Sequence, residues 1–97
     1  MISVTSLLWI WKGESTAGRW YFLTIPEEQS AELRAEALAS RRGFGSVRVE
    51  CRIGAVAWRT SVFPLDGGGY LLPVKASIRR DTGISVGDEV SVKLNLI

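Results

Sequence analysis

Between Trp58 and Asp88 the chain leaves few folds open. It reads Trp58-Arg59-Thr60-Ser61-Val62-Phe63-Pro64, then Gly67-Gly68-Gly69-Tyr70-Leu71-Leu72-Pro73-Val74-Lys75, then Ile78-Arg79-Arg80, Gly83 and Gly87-Asp88. A β-branched and aromatic run, a glycine turn, a second run closed by proline, a short basic helix and a final turn follow one another with almost no slack. That order specifies a small barrel and brings Arg59, Lys75 and Arg79 close to the ends of their elements.

The flanking sequence supplies the remaining staves. Val4 to Trp11 reads as a first strand, Gly13 to Gly18 as a polar turn, and Arg19 to Ile25 as the second arm of a hairpin. Trp9, Trp11, Trp20, Tyr21 and Phe22 cluster on this ribbon. They are expected to be core and cross-strand packing; the functional alternative has one or two of them lining a pocket or an interface.

Pro26 can open a helix because its missing N–H would be unpaired there anyway. Glu27 and Glu28 complement the positive end of the helix dipole, and Gly43 can close the helix after Arg41 and Arg42. The spacing predicts a covering helix over about 27–42, with Ala31, Ala35 and Leu38 on its buried face and Leu33 and Ala37 widening it.

Ser46 to Ile53 alternates strictly, with Val47, Val49, Cys51 and Ile53 on one side. Gly54-Ala55 allows a tight reversal into Val56 to Phe63. Both faces of that strand carry apolar residues, so it is expected to be buried on both sides or to cross a barrel seam. Tyr70 to Val74 is the next strand and 75–81 a short helix that Gly83 ends. Glu89 to Leu96 closes the fold with Val90, Val92, Leu94 and Leu96 inward. The architecture is therefore mainly β: one domain over residues 1–97, a closed or nearly closed barrel with two helices.

Composition supports this and removes several functions. At 97 residues such a domain buries only roughly 60–65% of its unfolded surface, and 46% hydrophobic residues meet the demand for an efficient core. Histidine is absent, which removes the commonest metal ligand and general base; no zinc site or Ser-His-Asp triad is expected. The lone Cys51 forms no intrachain disulfide and reads as a small buried hydrophobe, which fits a reducing cytoplasm. Leu7 to Trp11 is far short of the roughly 20 apolar residues that span a bilayer, and no basic segment precedes it as in a signal peptide. A net charge of +2 is too small to argue by itself for a nucleic-acid or membrane surface.

The motifs Trp58-Arg59-Thr60-Ser61-Val62-Phe63 and Tyr70-Leu71-Leu72-Pro73-Val74-Lys75, with Trp20-Tyr21-Phe22 before Ile25-Pro26, Gly43-Phe44-Gly45-Ser46-Val47 and Gly87-Asp88, resemble a bacterial family. It is the one catalogued as domain of unknown function nineteen-oh-five. The resemblance spans nearly the whole chain and implies a small β-barrel; it transfers no catalytic residues. Some relatives adjoin a YdeI/OmpD-associated segment of the bacteriocin-protection type. No such segment is expected here, and a role resting on it is not carried over. Leu72-Pro73-Val74-Lys75 through Ile78-Arg79, Gly83 and Gly87-Asp88 is also similar to the proline–helix–Gly-Asp–strand unit of AbrB-type barrels, which are swapped dimers that bind DNA.

Arg59, Lys75, Arg79 and Arg80 are the chemical candidates. Lys75 and Arg79 are four apart and share a helix face. With Arg59 at the same barrel mouth, three cations would converge on a carboxylate or phosphate, Arg with a planar fork and Lys with a mobile point charge. Thr60 and Ser61 would add hydroxyls, and Trp58 or Tyr70 an aromatic wall. The plainer alternative pairs Arg59 with Asp66 or Glu89 and leaves the helix cations solvated. Gly67-Gly68-Gly69 lacks a P-loop ending; it is a hairpin tip, or at most a lid over the mouth. Lys75 follows an apolar run, and desolvation would suit it to base or Schiff-base chemistry, but no second catalytic group accompanies it.

The expectation is a cytoplasmic, non-enzymatic module without cofactor, monomeric or homodimeric, that binds a small anionic ligand or a peptide carboxylate. The alternatives are AbrB-like dimeric nucleic-acid binding through Arg48, Arg52 and Arg79, and a structural or protein-interaction role centred on the N-terminal ribbon. An interior filled by side chains would remove any pocket inside the barrel.

Overall fold

Strand pleat and turn chemistry produce eight elements in the computed structural model, which describes residues 1–12, 18–40 and 45–97. In chain order they are β1 (Ile2–Lys12), β2 (Arg19–Ile25), α1 (Glu27–Ala39), β3 (Val47–Ile53), β4 (Val56–Pro64), β5 (Tyr70–Pro73), α2 (Ala76–Thr82) and β6 (Glu89–Leu96). The strands close into a barrel in the order β1-β2-β5-β4-β3-β6. Each pairing is antiparallel, and β6 returns to β1 with Val4 opposite Val92. The mainly β barrel with one longer and one short helix is thus as the sequence indicates. The polar turn expected over 13–18 lies, apart from Gly18, outside the described residues, as does the Gly43 helix stop.

Alternation sends one face of every strand inward. Val4, Leu8, Leu23, Val47, Val49, Cys51, Val62, Leu72, Val92 and Leu94 fill the barrel and belong to one buried cluster. These side chains occupy the interior, and the pockets described below lie on the outer surface. Strand β4 is not buried on both sides: Trp58 and Val62 point in, while Ala57, Arg59 and Phe63 are exposed. The apolar character of its second face belongs to a surface patch.

The helices close the ends. Ser30 N–H donates to the Pro26 carbonyl at 2.8 Å to start α1, and Ser30 Oγ donates to the Ile25 carbonyl at 3.0 Å. This second bond turns Ser30, Leu33 and Ala37 inward, so the buried face of α1 differs from the one expected; Ala31, Ala35 and Leu38 are exposed. Helix α2 starts after Lys75, buries Ile78, and ends where Gly83 takes the left-handed conformation at φ 72°, which favours glycine. The Gly87-Asp88 turn is stitched to β1 by Gly87 N–H to the Leu8 carbonyl and Leu8 N–H to the Asp88 carbonyl. Among the described residues no helix is long and apolar enough to cross a membrane.

Burial pushes the Cys51 thiol from 9.0 up to about 12, with the Glu50 carboxylate adding to the effect. The folded chain keeps this proton where the unfolded chain loses it, so stability falls as pH rises from about 9 toward 12, by at most about 1.4 kcal/mol per pH unit. Urea midpoints at about pH 8 and pH 10.5 test this. The decline should be steeper for the parent than for Cys51→Ala, and equal declines would count against it.

Candidate functional site

Outward residues of β2, β4 and β5 and the start of α2 meet on one flank of the barrel. Pro73 ends β5, and Lys75 follows in extended conformation as the N-cap of α2 without a side-chain capping bond. Its ammonium is exposed and left to the surface. On one side of Lys75 lies a depression of about 280 Å³ with Arg48, Arg59, Thr60, Ser61 and Trp58 in its walls. On the other lies one of about 370 Å³ with Arg19, Tyr21 and Arg79. Trp20, Pro73 and Lys75 line both, so the two form one groove.

Among the described residues five cations border this groove, Arg19, Arg48, Arg59, Lys75 and Arg79, and no described carboxylate lines it. Arg59 is not paired with Asp66 or Glu89. It lies opposite Glu50 in the β3–β4 register, and its Nε is 3.6 Å from Glu50 Oε2, with side chains 67% and 39% exposed. A pair this open holds Arg59 weakly. Arg79 is held firmly: its guanidinium lies 3.4 Å from the centre of the Tyr21 ring, and Nε donates to the Val74 carbonyl at 3.3 Å.

Trp58 supplies the floor. It is only 7% exposed, and its indole N–H is buried with no acceptor among the described residues. A buried donor left without a partner costs roughly 1–3 kcal/mol.

Arg59, Lys75, Trp58, Thr60 and Ser61 therefore gather in one depression, and Arg79 in the adjoining one. Tyr70 stands apart. It is buried at the start of β5, beneath the Arg34 guanidinium of α1 at 6.0 Å. The glycine loop lies there too: a Cβ on Gly68 would stand 2.9 Å from Arg34 Nη2, so the loop backs onto α1 and does not cover the groove. Arg80 is exposed outside both depressions, and Arg52 lies in a separate one beside Lys93. The sequence reading did not place Arg19, Arg48 or Trp20 with the anion candidates. Arg19 and Arg48 were legible as outlying cations, but only the ladder β2-β5-β4-β3 brings them to Lys75.

Of the aromatic ribbon, Tyr21 packs against the core and the expected cross-strand packing is present, but Trp9, Trp11, Trp20 and Phe22 lie outside the core. Trp9, Trp11, Trp20 and Phe22 join Phe63 and Leu71 around a shallow apolar surface on the outside of the barrel. Trp11 is 50%, Trp20 52% and Phe63 45% exposed. Trp11 lies directly across from Trp20 and Trp9 across from Phe22, and Trp9 Nε1–H donates to Thr24 Oγ1 at 2.9 Å.

Two measurements check these contacts. A double-mutant cycle of Arg79→Met and Tyr21→Leu should return a coupling of about 1 kcal/mol, with zero coupling excluding the stacked cation. Glu50→Gln should shift stability by less than about 1 kcal/mol, since both partners are largely solvated.

The chain belongs to the family described as Domain of unknown function (DUF1905), whose model matches residues 5–94. Every groove residue lies within that match. No curated protein matches the chain.

Proposed function

We propose that this DUF1905 barrel is a non-enzymatic binding module, and that its groove holds a small anionic ligand or a peptide carboxylate against Arg59 and Lys75. The observation that carries this reading is the lining: among the described residues five cations border the groove, and the one carboxylate paired with them, Glu50, holds Arg59 only loosely. Cations at such density repel one another mildly, and an anion seated among them removes that repulsion. Arg59 offers the planar fork and Lys75 the mobile charge, with Arg48 beside them. Thr60 and Ser61 would supply neutral donors, and Trp58 an aromatic wall. Arg79 acts from the far half of the groove, where its stacking on Tyr21 leaves it a fixed charge.

Lys75, expected to be desolvated behind its apolar run, is exposed.

The test is thermal unfolding with citrate and with inorganic pyrophosphate, for the parent, Arg59→Ala and Lys75→Ala. A ligand at about 100 times its Kd stabilises the fold by about 2.7 kcal/mol, a rise of roughly 10 °C or more in a domain of this size. The rise should occur in the parent and vanish in the folded variants. A parent that responds to neither anion removes the proposal.

A further inference from the structure

The basic groove and the aromatic face share one residue. Trp20 lines both depressions of the groove and also the apolar surface made by Trp9, Trp11, Phe22, Phe63 and Leu71. Its ring is stacked on Phe22 at 9° with centroids 6.2 Å apart, and Phe22 packs against Trp9 at 5.3 Å. Three half-exposed aromatic rings on the outside of a small barrel form an apolar patch of a kind that marks a binding surface. Among the described residues, Arg19 and Arg79 line one of its other sides and Arg48 and Arg59 the next, with Lys75 on both.

We infer that this composite surface binds single-stranded nucleic acid, with bases stacked on Trp20, Trp11 and Phe63 and phosphates held along Arg59, Lys75, Arg48 and Arg19. The inference deepens the anion-binding reading and rests on it, since the phosphodiester takes the place proposed above for a small anion. Charge complementarity and ring chemistry together select this occupant. In a single strand each base presents a flat π face and carries its own phosphate, so rings and negative charges alternate along the polymer. An aromatic platform bordered by cations matches that alternation. A peptide terminus offers one carboxylate and would leave most of the five cations idle. A duplex keeps its base faces inside the stack, out of reach of Trp20.

The experiment uses a fluorescein-labelled oligothymidylate of about 12 nucleotides, followed by anisotropy and by quenching of tryptophan fluorescence, with inorganic pyrophosphate run in parallel. With three or four phosphates contacted, the slope of log affinity against log salt should be about −2 to −3. Affinity then drops about 20- to 50-fold between about 50 and 200 mM salt. Trp20→Ala and Trp11→Ala should each weaken binding at least about fivefold with the salt slope unchanged. The Arg59→Gln, Lys75→Gln pair should reduce the slope by about 1.4. Circular dichroism confirms that each variant is folded, and Phe63→Ala serves as a second stacking variant if Trp20→Ala does not fold.

If pyrophosphate binds and the oligonucleotide does not, the anion groove stands and this inference falls. If neither binds, both fall. Equal affinity for a duplex, or stacking variants that bind like the parent, would overturn the stacking face even where the charge contacts hold.

Discussion

Closure of the β1–β6 ladder is the constraint from which the other features follow. Once six strands form a ring, every residue of the pleat points either into a narrow interior or out to the surface. The interior is packed with Val, Leu, Ile, one Cys and the rings of Trp58 and Tyr70, and Trp11, Trp20 and Phe63 stand outside it. They are displaced outward together, because Trp11 and Trp20 are register partners and Phe63 lies opposite Leu71 two strands away. The same closure turns these rings and the cations of β2, β3 and β4 to the outer surface.

The corner between β5 and α2 then decides where charge collects. Pro73 stops the strand, Val74 plugs the barrel end, and Lys75 is left exposed at the start of α2. One turn later Arg79 bends back over Tyr21 and bonds the Val74 carbonyl, tying α2 to β2. Arg59 and Arg48 arrive from the neighbouring strands because outward positions of β3 and β4 fall side by side. Stability and site are therefore built from the same bonds. Arg79 serves mainly to hold the corner, while Lys75 and Arg59 are the cations with freedom to meet a ligand. Trp58 sits between the two roles, buried like core yet carrying a polar hydrogen without an acceptor.

Much of the fold is legible in the sequence because turn chemistry and period-two alternation are local. Gly54-Ala55, Gly83 and Gly87-Asp88 mark the reversals, and Val47, Val49 and Cys51 lie on one side by spacing alone. Alternation does not say which apolar face is inside when both faces carry large residues, which is why Trp9 to Trp11 and Trp20 to Phe22 read as core. In α1, Ala31-Ala35-Leu38 and Ser30-Leu33-Ala37 satisfy helical spacing equally well; a single bond from Ser30 Oγ to the Ile25 carbonyl selects the second. Of the candidate site, Arg59, Lys75 and Arg79 could be picked out as cations, but only Lys75 stands at an element end as expected; Arg59 is in the middle of β4 and Arg79 in the middle of α2. Their neighbours Arg19 and Arg48, the Glu50 partner of Arg59 and the separation of Tyr70 depend on strand order and register, which long-range pairing determines.

The proposed function requires an anion to seat between Arg59 and Lys75, beside Trp58. The most direct measurement is a titration of the 15N-labelled protein with citrate, followed through the indole N–H signals of its tryptophans. Saturable shifts of the Trp58 and Trp20 indoles, with Trp9 unmoved behind its bond to Thr24, are the predicted result. Indole signals that stay in place, or that move only in step with ionic strength, would contradict it.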